Sequence, residues 1–154
     1  SGLHRIDPPL RSPSDQSELK RALLNGQIDA ITPHHEPHDL DAKNAPFASC
    51  EPGISGFDTF VPLLLELEEK KELSITNLIR AASTNPAQIL GLRTHGIAIG
   101  NPANICIIDP NKVWAALPST MNSLGKNTPF LGKEMKGMVT HTFINGELVH
   151  ELDE

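Results

Sequence analysis

The chain has 154 residues, and its 13 Lys plus Arg against 19 Asp plus Glu leave a formal charge of −6. An acidic chain without a basic cluster excludes nucleic acid and anionic membrane surfaces as expected partners. Its apolar runs, such as FVPLLLEL, fall far short of the roughly 18 residues of a spanning helix, so no membrane partner is expected either. Cys50 and Cys106 stand alone, which predicts a reduced, cytoplasmic setting without a structural disulfide. The opening SGLHRIDPPLR lacks an apolar h-region and predicts no secretion signal. Thirteen prolines spread along the chain suit a loop-rich α/β protein whose strand ends open into functional loops.

In chain order, Ser14 to Asn25 (SDQSELKRALLN) reads as an amphipathic helix. Ser14 or Asp15 caps it, Leu19, Ala22 and Leu23 form its apolar stripe, and Gly26 ends it. Gln27 to Thr32 is short, β-rich and bounded by Gly26 and Pro33, which predicts a buried strand. Pro33 to Ser55 is too long for a plain connection and reads as a loop covering a site. Phe57 to Lys71 predicts a helix with Phe60, Leu63, Leu64 and Leu67 on one face, with Pro62 kinking it or marking its start near Val61. Within it, Asp58 is expected to cap the N-terminus, and ELEEKKE (66–72) to form an exposed face. Ser74 caps a third helix through Ser83, and Asn85-Pro86 opens a short fourth that ends at Gly91.

Beyond Leu92 the texture turns to β. Residues 96–100 and 103–109 are strand-like, and 139–144 and 147–150 flank Asn145-Gly146, a strong type I′ hairpin signal. Trp114, the only tryptophan, is expected to pack within this part. The chain therefore divides near residue 92 into a helix-rich part (1–92) and a β-rich part (93–154), the latter with too few long strands to close on itself.

One stretch carries chemistry. ITPHHEPH (31–38) places His34, His35 and His38 just past the C-terminal end of the predicted strand. That edge is where α/β barrels and open sheets build their sites, and imidazole is a common zinc ligand. Three readings stay open on the residues alone: a metal site, a metal site that has lost its ligands, and a polar loop rich in histidine. Zinc needs three or four ligands, no second HxH or HExxH completes the set, and Cys50 is the only soft ligand nearby.

The ordered set DPPLR (7–11), IDAITPHHEPH (28–38), PF (46–47), EPGISGFDTFVPLLLEL (51–67), STNPAQILGL (83–92) and GKNTPFLGKEMKGMVTHTFINGELVHE (125–151) resembles the C-terminal part of bacterial dihydroorotases. These belong to the amidohydrolase superfamily, and the resemblance runs over nearly the whole chain. The GKNTPF segment and final hairpin are shared with allantoinase-like and hydantoinase-like relatives, while PPLR and PGISG favour dihydroorotase. The resemblance implies an α/β fold: 1–92 as the last strands and helices of a (β/α)₈ TIM-type barrel, and 93–154 as the C-terminal part of a small β-rich domain. It also implies that the family's H-x-H motif, bridging lysine and two further metal histidines lie upstream of this segment.

The resemblance further assigns candidate site residues. Where the family pattern reads A-T-D-H-A-P-H, this chain has Thr32 to His38, so that His34 takes the position of the aspartate that is metal ligand and general acid–base. Asp7 replaces a substrate-binding asparagine, and its carboxylate would repel the substrate's own. His38 matches a substrate-binding histidine, and Pro52 and Gly53 match the loop whose backbone contacts the ring. The implied protein is a catalytically impaired homologue in de novo pyrimidine biosynthesis, with zinc absent or weakly held and His34 a doubtful metal ligand. Its expected partners are the remainder of its own barrel and aspartate transcarbamoylase, and a homo-oligomer is compatible with it. The rival expectations are a working zinc dihydroorotase, interconverting N-carbamoyl-L-aspartate and L-dihydroorotate, and an allantoinase- or hydantoinase-like cyclic amidohydrolase. This segment alone is expected to be inactive.

Overall fold

The structure, a computed structural model, describes residues 1–92 and 96–152. Helix α1 spans Pro13–Leu24. Its cap is Ser12 rather than Ser14 or Asp15: the Ser12 hydroxyl accepts from the Asp15 amide at 3.2 Å, and the Asp15 carboxylate accepts from the Ser12 amide, also at 3.2 Å. Pro13 explains the shift, because a proline at the first helical position is pre-set for the helix and lacks only an N–H that would be orphaned anyway.

The strand expected over 27–32 does not form. Its backbone is tied to distant residues by the Ile31 amide, which donates to Ala81 O at 3.0 Å, and by Asp29 O, which accepts from Asn85 Nδ2 at 2.8 Å; no neighbouring strand among the described residues pairs with it. Extended structure returns a few residues later as an isolated parallel bridge between His35 and Ile54. The Pro33–Ser55 loop is ordered by two short 3₁₀ turns, Leu40–Lys43 and Phe47–Ser49, and by the buried side chains of Cys50 and Lys43.

Helix α2 runs through Phe57–Glu69 with Pro62 inside it and buried, so Pro62 marks no start. It lies on the sheet at Gly137, where an added β-carbon would strike Leu65; Gly137 also has φ +100°. Only glycine allows that approach in that conformation. The charged residues of ELEEKKE are exposed apart from Glu72, which is half-buried and pairs with Lys20 at 2.7 Å. The Ser74 cap forms as expected, its hydroxyl accepting from the Asn77 amide at 3.3 Å. The two helices expected after it are one continuous helical stretch: α3 (Ile75–Ile79), a widened π turn (Arg80–Thr84) and α4 (Asn85–Ile89).

Three antiparallel strands follow in the order β1 (Ile105–Ala115), β2 (Glu134–Ile144) and β3 (Glu147–Glu151). The strands β1 and β2 are longer than local composition indicates, each being extended by pairing with the other. Residues 96–100 form turns and no strand; Gly100 has φ +90°. The β2–β3 hairpin turns as its sequence dictates, with φ +52° at Asn145 and +85° at Gly146. Trp114 packs in this part, its indole N–H donating to Gly137 O at 3.1 Å.

The most deeply buried side chains are a mixed set. Leu78, Cys50, Ala81 and Ala116 lie beside Ser55, Thr59, Asn127 and Thr128, each at most 2% exposed. Many large apolar residues remain uncovered among the described residues, including Ile97, Ile99, Leu90 and Leu124. No described helix is long and apolar enough to cross a membrane.

Candidate functional site

Three segments distant in sequence meet at the histidine loop: residues 34–38, 52–57 and 127–128. Their junction is Asn127, which is fully buried. Its Oδ1 accepts from the His38 amide at 2.7 Å, its Nδ2 donates to Glu36 O at 2.9 Å and Gly53 O at 3.3 Å, and its own carbonyl accepts from the Ser55 amide at 3.1 Å. The Glu36 amide donates to Ile54 O at 2.8 Å, and the Gly53 amide to Arg5 O at 3.0 Å. A buried amide side chain is well suited to this junction, because it offers both an acceptor and two donors to backbone groups that must not be left unpaired. Asn127 lies within the GKNTPF motif, where nothing in its immediate neighbours signals this role.

The three histidines have different fates. His38 is half-buried, and its Nε2 lies 2.8 Å from Pro52 O, which joins two of the residues singled out from sequence. His35 serves structure: its Nδ1 accepts from the amides of Gly56 at 3.1 Å and Phe57 at 3.3 Å. It thereby supplies the cap that Gly56 cannot give α2. Its ring also stacks on Phe57, with centroids 4.1 Å apart and planes 12° from parallel. This role was illegible locally, since His35 and Gly56 are 21 positions apart.

His34 points elsewhere. It is exposed, with φ +43°, in the left-handed region that a non-glycine residue occupies at some cost. Its Nε2 lies 3.4 Å from Glu36 Oε1. Glu36 was not singled out from sequence. Its other carboxylate oxygen is buried and has no hydrogen-bond donor among the described residues. Its side chain lies across Gly53, where an added β-carbon would come within 2.6 Å of Glu36 Cβ. Asp7 is exposed and lies two residues beyond Arg5, whose carbonyl holds the Gly53 amide.

Around the site, Lys43 is buried and donates to Arg5 O at 3.2 Å and Glu51 O at 2.5 Å. Burial pushes its pKa below the usual lysine value, partly opposed by Cys50. Cys50 is committed to the loop, its thiol donating to Ala45 O at 3.0 Å. Asp58 does not cap α2. Its Oδ1 accepts from the amides of Asn122 at 2.6 Å and Ser123 at 3.4 Å, tying the helix start to the loop before GKNTPF.

Zinc does not fit these residues by themselves. Among the described residues no three of His, Cys, Asp and Glu converge as a metal would require. One nitrogen of each of two imidazoles and the nearby thiol are already engaged: His35 Nδ1 as a cap, His38 Nε2 at Pro52 O, and the Cys50 thiol on a loop carbonyl. A single exposed imidazole at His34 is one ligand where three or four are needed.

Comparison with known proteins gives a consistent picture. The model of the amidohydrolase family matches residues 6–149. A dihydroorotase-like protein of Pseudomonas aeruginosa is 41% identical over 151 residues, covering 98% of this chain and 36% of that protein. A dihydroorotase of Geotalea daltonii is 40% identical over 149 residues, covering 97% of this chain and 35% of its own length. Among solved structures, the L-hydantoinase (dihydropyrimidinase) of Arthrobacter aurescens superimposes with a TM-score of 0.84 at 27% identity, over 97% of this chain and 35% of that one. The chain thus spans about a third of the length of the relatives it matches.

Proposed function

The chain belongs to the amidohydrolase family and carries the C-terminal portion of its barrel fold with part of a small β-rich domain, and we propose that it is a segment of a catalytically impaired dihydroorotase homologue. The observation that carries this reading is His34. In the resemblance this is the position of the catalytic aspartate, yet here an exposed imidazole lies 3.4 Å from a neighbouring carboxylate. Imidazole brings no negative charge to a centre built for divalent cations, and Asp7 puts a carboxylate where the substrate's own carboxylate would bind. The framework around them is kept, with His38, Pro52 and Gly53 bound to one another and to Asn127.

In this reading residues 1–92 complete a barrel and 93–154 complete the small domain. The uncovered apolar residues pack against the remainder of the barrel, and the whole serves cytoplasmic pyrimidine synthesis as a structural partner of aspartate transcarbamoylase. The test is zinc content and dihydroorotase activity, in both directions, of the full-length protein and its His34→Asp variant. A metal-free, inactive parent supports the proposal. A zinc-bearing parent that turns over, with His34→Asp changing an existing rate, overturns it.

The intact framework favours one alternative, a working zinc dihydroorotase in which His34 performs the aspartate's role. The fold shared with the hydantoinase favours a second, a relative acting on neutral cyclic amides, which parallel assays with hydantoin and allantoin would separate.

A further inference from the structure

We propose that Asn25, at the C-terminal end of α1, is the protein's site of spontaneous deamidation, and that the fold withholds the same chemistry from Asn145 at the tip of the β2–β3 hairpin.

Asparagine followed by glycine occurs twice in the chain, at 25–26 and 145–146, and both pairs are exposed. A glycine carries no β-carbon, so its backbone nitrogen can close on the preceding side chain without hindrance. In that reaction hydroxide takes the glycine amide proton and the nitrogen attacks Cγ of the asparagine. A new N–Cγ bond forms as the Cγ–Nδ2 bond breaks, and ammonia leaves with a proton from water. Water then opens the cyclic imide at either carbonyl. Breaking the N–Cγ bond gives aspartate; breaking the bond from nitrogen to the former backbone carbonyl gives isoaspartate, whose chain runs through the β-carbon. Water is the only reactant consumed, and one ammonia is released.

Ring closure needs the glycine nitrogen released from its hydrogen bond and the asparagine turned about its Cα–C bond. The two pairs differ in what opposes this. The Gly146 amide donates to Ala103 O at 3.0 Å, and the Asn145 amide to Asn104 Oδ1 at 2.8 Å, 41 positions away. Releasing the nitrogen there means lifting the hairpin tip off residues 103–104 and breaking a type I′ turn between two paired strands. At the other pair, the Asn25 amide donates to Arg21 O at 3.0 Å and the Gly26 amide to Leu23 O at 3.2 Å. Both bonds lie within the last turn of α1, and helix ends fray far more readily than a turn pinned by tertiary bonds opens. Conversion at Asn25 also has a structural effect. It sets a carboxylate where the last helix carbonyls already concentrate negative charge, and isoaspartate adds a backbone atom ahead of the segment that Ile31 docks on Ala81 O.

The test ages the full-length protein at mildly alkaline pH, folded and in urea. Each asparagine is followed by peptide mass spectrometry, with isoaspartate scored by enzymatic methylation. In the folded protein Asn25 is expected to convert about tenfold faster than Asn145. In urea, where each simply precedes a glycine, the two rates are expected to come within about threefold of one another. Asn104→Ala removes the acceptor of the Asn145 amide. In a variant whose circular dichroism is unaltered it is expected to speed Asn145 several-fold and leave Asn25 unchanged. If that variant does not fold, the folded and denatured wild type decide the matter alone. Asn145 converting first in the folded protein, a gap that persists in urea, a folded Asn25 that stays intact while the denatured chain converts it, or an Asn145 rate unmoved in folded Asn104→Ala overturns the proposal.

Discussion

Asn127→Ala tests whether the site is held together by one buried side chain. The substitution removes three hydrogen bonds at once and leaves the His38 amide, Glu36 O and Gly53 O facing a cavity. A buried polar group stripped of its partner costs about 1–3 kcal/mol. The three losses share one cavity and do not simply add, so about 3–5 kcal/mol is expected. With a urea slope of about 2 kcal/mol/M for a chain of this size, the unfolding midpoint falls by about 1.5–2.5 M. Far-UV circular dichroism follows the transition, and hydrogen exchange reads the His38 amide directly. Asn127→Asp sharpens the test. It keeps the acceptor for His38 but sets a carboxylate oxygen against two carbonyls, and is expected to be no better than alanine despite its identical shape. A loss below about 1 kcal/mol for alanine, or an aspartate variant as stable as wild type, refutes the reasoning.

Two further substitutions probe the same loop. Gly53→Ala is expected to cost about 2–3 kcal/mol, because φ is +113° there and the new β-carbon would meet Glu36. In the double mutant with Glu36→Gly, which removes both the carboxylate and the β-carbon that the new methyl would strike, the collision disappears and the backbone strain remains, so the pair is non-additive in unfolding experiments; strict additivity would sink the account. For Lys43, burial lowers the pKa in the folded chain, so as pH rises the folded chain gives up its proton before the unfolded chain does. The burden of the buried ammonium is therefore full below the folded-state pKa, and stability contributed at this site climbs between there and the ordinary lysine value. Urea midpoints of Lys43→Met across the alkaline range are expected to lack that climb, and an identical pH profile in both proteins would show that Lys43 is not its source.

Features set by neighbours along the chain can be read without the fold. The α1 and Ser74 caps and the Asn145-Gly146 turn depend on residues within a few positions of one another, and all are legible within one residue or two. The continuous motifs also sufficed to indicate the family. The remainder depended on distant partners. Residues 27–32 have the composition of a strand, but a strand needs a neighbour to pair with, and their long-range bonds run to helical residues, Ala81 and Asn85. Asp58 looks like a helix cap, yet it is captured by two amides 64 and 65 residues away. His35 caps α2 across 21 positions, and Asn127 reaches His38 across 89. Glu36 reads as one more charge in a polar loop until the fold lays it on Gly53. Backbone donors and acceptors must be satisfied by whatever side chain the fold delivers; sequence shows which side chains can do so, and only tertiary packing decides which one does.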